Sequence, residues 1–316
     1  MIVKRVAAAL AAVGLAACAS EPQAPSSELP SLASAASSAS PILDSINGDL
    51  AARGLNVRVS HAEFVLAASG THDAAGQILF ANNRAKRLDT RWVPGDARRL
   101  ADGNRLTYLN FTPFMAANAG GGATVAGAAA VNASFDTWDA QVCSVLDLVE
   151  RAWDGATNPS ALLNVGLPQD VFAADITTMG FLPGALFDAV LGPGASSNVL
   201  GVTFTFIFID VGTGEPTDVD GDGRDDTAIK EVWYNNAFAW GTSGAAGPID
   251  IETVALHENG HALELGHFGK IFGTLANLKL HVSPRAVMNA AILGTLRQPL
   301  GSDNAAYCGN FGSWPG

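Results

Sequence analysis

Residues 257–267 read His257-Glu258-Asn259-Gly260-His261-Ala262-Leu263-Glu264-Leu265-Gly266-His267, and this spacing constrains the fold more than any other stretch. In a helix, residues four apart share a face, so His257 and His261 point the same way with Glu258 beside them. The third imidazole cannot join them along a continuing helix. Six residues at ~1.5 Å each carry His267 roughly 9 Å past His261, against a Zn–N bond of about 2 Å. The helix must stop and fold back, and Gly266 is the residue expected to supply a left-handed turn. His257 and His261 alone would read equally well as two surface side chains; His267 at the longer spacing makes a Zn²⁺ site the better reading. Three protein ligands leave an open position for water, and Glu258 is placed to act as general base and then acid. His281 is the other candidate third ligand. A downstream carboxylate ligand is excluded, because no Asp or Glu lies between Leu265 and Ser302. Glu264 is about 10 Å along the axis from His257 and should not reach the same ion.

The first residues carry an address. Lys4 and Arg5 precede an apolar run from Val6 to Ala17, too short to span a bilayer and of signal-peptide type over residues 1–17. The sequence Leu15-Ala16-Ala17-Cys18 resembles the bacterial lipobox, which implies a lipidated Cys18 as mature N-terminus; the alternative is an ordinary signal peptide that happens to contain a cysteine. Residues 18–41 are rich in Ser, Ala and Pro and read as a flexible tether. The expectation is a cell-envelope lipoprotein facing the periplasm or the exterior, with Ala19 favouring the outer membrane. Of three cysteines, Cys143 and Cys308 remain, as a disulfide or as two buried thiols. The formal charge is −12, and loss of Lys4 and Arg5 would leave 16 basic against 30 acidic residues, a charge of −14. Such a surface disfavours nucleic acid and anionic lipid, so the lipid on Cys18 would hold the chain, as a monomer, to its membrane.

Beyond the tether, two units are expected: a small N-terminal α/β addition over 42–100 and a larger domain over 101–316. Ile42, Leu43, Ile46 and Leu50 have helical spacing. Val57, Val59, Phe64–Ala67 and Ile78–Phe80 suggest a hairpin or meander, with a connector over Arg84–Arg99. His61 and His72 read as packed or solvated side chains. Further on, strands are expected near Arg105–Leu109, Asp175–Met179, Val199–Asp210 and Ala228–Tyr234. A helix is expected over Val131–Glu150, and Asp250 is the N-cap of the helix that carries the histidines. Five carboxylates, Asp218, Asp220, Asp222, Asp225 and Asp226, crowd one loop and suit Ca²⁺. The loop begins like an EF-hand but has Ile229 at the twelfth position, so a calcium-stabilised loop between strands is preferred to an EF-hand, with a solvated acidic turn as the alternative.

The long histidine motif resembles that of the metzincin zinc peptidases, HExxHxxGxxH followed by a methionine turn. Pro284-Arg285-Ala286-Val287-Met288-Asn289-Ala290 resembles that turn, with Met288 as a packing floor under the metal. Ala290 stands where astacins and serralysins place a tyrosine, which favours matrixins. Leu106-Thr107-Tyr108 resembles the opening matrixin strand, Ala133–Trp138 the first long helix, and Ser302–Gly312 the closing helix. Glu264 departs from the pattern by replacing its glycine. The N-terminal addition has no cysteine, which excludes a thiol latch on zinc. The resemblance implies an α+β fold, a matrixin-like zinc peptidase domain with a twisted mixed sheet, active-site helix and Met-turn. It also implies an endopeptidase that binds protein or peptide substrates as an extended strand along one sheet edge. The rival expectation is a non-catalytic calcium-binding surface lipoprotein that keeps the fold for adhesion or binding.

Overall fold

A computed structural model describes residues 32–67, 87–99, 103–274 and 279–315. The leader with Cys18, the first part of the tether, His72 and the strand expected at Ile78–Phe80 lie outside the described residues. The first helix, α1 (Leu32–Ala52), begins inside the stretch read as tether. That stretch is alanine-rich, and alanine is the strongest helix former, so a composition unable to build a core can still extend a neighbouring helix. Leu43 and Ile46 pack against a core that includes Leu50.

Next come β1 (Val57–Ala67), β2 (Thr90–Arg91) and β3 (Leu106–Asn110), a small antiparallel pair β4 (Ala116–Gly120) and β5 (Ala123–Ala126), then α2 (Ala128–Asp139) and β6 (Leu148–Glu150). They are followed by β7 (Ile176–Leu182), α3 (Gly184–Leu191), α4 (Ala195–Asn198), β8 (Val199–Phe208) and β9 (Asp225–Asn235). Short strands β10 (Trp240–Gly241) and β11 (Ile249–Asp250) lead into α5 (Ile251–Ala262). The chain ends with β12 (Lys270–Thr274), β13 (Lys279–Ser283), β14 (Ala291–Ile292) and α6 (Gly301–Phe311). The α+β expectation holds. Eight strands form one mixed sheet in the order β14-β1-β8-β9-β7-β3-β6, with β2 paired to β9.

The expected helix over Val131–Glu150 stops at Asp139. Val142 and Val145 are exposed, and Val149 belongs to β6, which pairs parallel to β3. Their helical spacing is coincidental.

Two cores lie on opposite faces of the sheet. On one, Val131, Phe135 and Trp138 of α2, Val254 and Leu256 of α5, and Tyr307 and Phe311 of α6 meet Val65, Leu200 and Val232. On the other, Phe187 packs with Phe204, Phe206, Phe208 and Trp233. All ten residues of β8 are buried, as a strand covered on both faces and both edges must be.

The two-unit division at residue 100 is not what the chain builds. β1 lies inside the sheet, antiparallel to β8 from Val57 to Leu66 and parallel to β14 at Leu66 and Ala67. Arg99 makes a buried ion pair with Asp175 at 2.7 Å. Residues assigned to a separate addition therefore share one core with the rest. The run Val199–Asp210, apolar on both faces, forms the central strand β8, with β1 and β9 hydrogen-bonded along its two edges.

Candidate metal centre

α5 has no polar face: every residue in it except Glu252 is buried, as expected of a helix enclosed by its fold. Asp250 is its N-cap as the sequence implies, accepting from Thr253 N at 3.1 Å and Thr253 Oγ1 at 2.7 Å. Arg297 Nη2 fixes the same carboxylate at 2.5 Å. The bond from Thr253 N satisfies one orphan donor of the first turn, and Glu252 adds a favourable charge at the positive end. From α2, Trp138 Nε1 donates to Leu256 O at 2.9 Å, and Ser134 Oγ receives Asn259 Nδ2 at 2.6 Å. The helix that carries the histidines is thus fixed against its neighbour by polar as well as apolar contacts.

The three imidazoles converge. His257 Nε2 lies 2.9 Å from His261 Nε2 and 3.3 Å from His267 Nε2, and the latter two atoms are 3.2 Å apart. Tetrahedral bonds of 2.0–2.1 Å to one Zn²⁺ would set these separations at about 3.4 Å. His257 Nδ1 faces Val287 O at 2.7 Å, and His261 Nδ1 faces Leu265 O at 2.7 Å. A carbonyl only accepts, so both Nδ1 atoms carry the proton and both Nε2 lone pairs are bare and face each other. Burial, with the neighbouring charges, holds all three rings well below the ordinary histidine value, His261 at about 3. Facing lone pairs repel unless a cation lies between them, so this donor set fits Zn²⁺. His281 sits on β13 and outside the cluster.

The fold-back is made by Glu264 and not by Gly266. Glu264 has φ 62°, the one positive φ outside glycine among the described residues. Leu265 N bonds Gly260 O at 2.9 Å and Glu264 N bonds His261 O at 3.0 Å, the two bonds of a Schellman motif with glutamate where glycine is usual. The left-handed backbone costs about 1–2 kcal/mol for an L-residue. Offsetting it, the buried carboxylate accepts from Thr227 Oγ1 at 2.6 Å, Thr90 Oγ1 at 2.6 Å and Lys230 Nζ at 3.0 Å.

Met288, the residue expected in a methionine turn, is buried with its sulfur against Gly260 of α5. A Cβ on Gly260 would collide with its sulfur, so the glycine inside the histidine motif permits the close approach. Asp303 of α6 accepts from Val287 N at 2.9 Å and Met288 N at 3.1 Å, which holds the turn and the Val287 carbonyl that orients His257. Cys143 and Cys308 are joined as a disulfide, the paired alternative of the two.

Several residues at the site carried no sequence signal. Glu63 of β1 places Oε2 against His261 Nδ1. Thr203 Oγ1 donates to Glu258 Oε2 at 2.7 Å, while Glu258 Oε1 has no hydrogen-bond partner. Gly201 makes room for that side chain, since a Cβ there would sit 2.9 Å from its Cγ and Oε1. Burial pushes the Glu258 carboxyl up, and the bond from Thr203 acts the other way. Burial likewise raises the Tyr234 phenol, with the charge of Glu258 adding to the effect. Beside Gly201, Leu200 lines an open cavity of about 510 Å³ together with Phe238, Ala245, Pro248, Ile292 and Thr295. The segment after Met288 thus walls an apolar cavity.

Of the five loop carboxylates, Asp218, Asp220 and Asp222 come together, one oxygen from each lying within 4.8 Å of the others, all exposed. The other two do not join them. Asp225 opens β9, and Asp226 is buried, accepting from Arg98 Nη2 at 2.7 Å and Thr217 Oγ1 at 2.6 Å. Arg91 Nη1 already pairs with Asp222 at 2.8 Å.

No protein-family model matches the chain, and no curated protein matches it. Among solved structures, a chain from the GM1 bound form of the ECX AB5 holotoxin is similar at 12% identity, over 74% of this chain and 89% of that one, with a TM-score of 0.34. A likeness that slight does not bear on fold or function.

Proposed function

We propose that the chain is a zinc-dependent endopeptidase with a matrixin-like site, held to the cell envelope through a lipid on Cys18. The observation that carries this reading is the meeting of His257, His261 and His267 at three Nε2 atoms 2.9–3.3 Å apart, with Glu258 next in sequence to a ligand. When bound, Zn²⁺ supplies Lewis acidity to a substrate carbonyl and to water. Glu258 takes up and returns a proton through Oε1, the oxygen that Thr203 leaves free. Thr203 fixes the other oxygen and with it the carboxylate's orientation. The cavity between residues 244–250 and 292–295 accepts an apolar side chain of the peptide. Among the described residues no helix is long and apolar enough to cross a membrane.

A specific observation favours the second reading, a non-catalytic protein that keeps the site for binding or stability. Glu258 is fully buried, and β8, whose Thr203 holds it, has both edges paired, to β1 and to β9. The strand edge left beside the cavity is β14, the last in the sheet. Purified mature protein separates the readings: stoichiometric zinc with cleavage of a peptide library is expected, whereas stoichiometric zinc with no peptide cleaved would establish the second reading.

For Ca²⁺ we propose Asp218, Asp220 and Asp222 as ligands. Burial and the neighbouring charge of Asp222 raise the Asp220 carboxyl, a repulsion that a cation would relieve. At about tenfold excess over Kd, Ca²⁺ should raise the melting temperature by about 2–4 °C, and Asp220→Asn should abolish the shift. A calorimetric scan with no Ca²⁺ response in the wild type would leave a solvated turn.

A further inference from the structure

We infer that Lys230 and Glu264 are positioning residues for the third imidazole: their buried ion pair locks the left-handed turn that returns His267 to His257 and His261. This rests on the zinc reading above. Two residues separate Glu264 from His267, so the backbone direction at Glu264 decides where that imidazole lies. Glycine would take φ 62° without strain and would also leave it easily. Glutamate takes it only while something holds it there, and each of its groups is held. The side chain meets Thr90 and Thr227 hydroxyls and the Lys230 ammonium. The carbonyl accepts from Leu88 N at 3.1 Å and Asn310 Nδ2 at 3.0 Å.

Lys230 is fully buried on the central strand β9 and is itself oriented by Thr205 Oγ1 at 2.8 Å, with His261 O at 3.4 Å. One ammonium therefore contacts the turn and the carbonyl of the second histidine. The clamp also reaches the N-terminal segment: Arg87 bridges Leu265, and Trp92 Nε1 donates to Ala262 O at 2.9 Å. All the carboxylate's contacts are to these groups, which leaves Glu264 no role as a ligand. Its position in the motif is taken up by holding the turn instead.

The test measures zinc dissociation constants of folded protein by competition with a chromophoric chelator, and melting temperature in parallel. Lys230→Met removes the partner of a buried carboxylate and is expected to weaken zinc binding by about 10–100-fold. Glu264→Gly, which leaves the Lys230 charge buried and unpaired, is expected to weaken it about tenfold. The double variant Lys230→Met/Glu264→Gly should return to within about threefold of wild type, because glycine adopts the turn without strain and no charge is left buried and unpaired. Thr90→Val keeps the ion pair and removes one hydrogen bond; it should weaken binding in the same direction, which keeps the test open should Lys230→Met not fold. Variants that melt earlier yet bind zinc as tightly as wild type would show a structural role only and overturn the inference. A wild type that binds no zinc would overturn the metal reading itself.

Discussion

Glu258→Gln is expected to lower kcat/KM for peptide hydrolysis by about 10²–10⁴-fold while zinc content stays unchanged. Glutamine keeps the volume that Gly201 makes room for, and it can still accept a hydrogen bond from Thr203. It cannot take up a proton. The substitution therefore removes the proposed proton transfer and little else, whereas alanine would open a void next to Gly201 and mix stability into the result. His257 and His261 are oriented by Val287 O, Leu265 O and Glu63, not by Glu258, which is why the metal should be retained. Steady-state kinetics and metal analysis on one preparation read both quantities. A variant as active as the wild type would remove Glu258 from the reaction. Loss of zinc together with activity would mean that the residue supports the site and does not perform the chemistry.

What could be read in the sequence divides by range. The spacing of His257, Glu258 and His261, the Asp250 cap and the strands near residues 106, 199 and 228 are local patterns, and the fold places them as read. The pairing of Cys143 with Cys308 was one of two alternatives, since no single sequence states a distance. The place of β1 was not legible. Val57–Ala67 reads as a strand, but nothing in it says that its partners are β8 and β14, the latter more than 200 residues downstream. The turn at Glu264 was misassigned for the same reason. Gly266 is the residue that local propensity selects, while the groups that hold Glu264 in place, Thr90 and Lys230, are 174 and 34 residues away. Apolar periodicity misled over Val142 and Val145, because spacing is a property of the chain and burial is a property of what it meets.

Removing the disulfide, by Cys143→Ser with Cys308→Ser, is expected to cost about 5 kcal/mol of unfolding free energy, the chain-entropy value for a loop of this length. The two cysteines are 165 residues apart, so the bond closes a loop holding most of the sheet and all of α5. Its effect on melting should be about 10–20 °C. Its effect on the site should be smaller and can be reasoned from contacts. Cys308 lies in α6, whose Asp303 holds Val287 and Met288, and the Val287 carbonyl orients His257. Without the disulfide α6 keeps Tyr307 stacked on Trp138 at 5.5 Å and Phe311 in the core, so the folded double variant should lose less than the 10–100-fold in zinc affinity typical of losing a ligand's own hydrogen-bond partner. Protein made in a reducing cytosol should melt at the lower temperature until it is oxidised. Equal melting of reduced and oxidised protein would show that packing between α2 and α6 alone closes the domain, and a zinc affinity falling in step with stability would show that α6 reaches the metal centre only through the covalent bond.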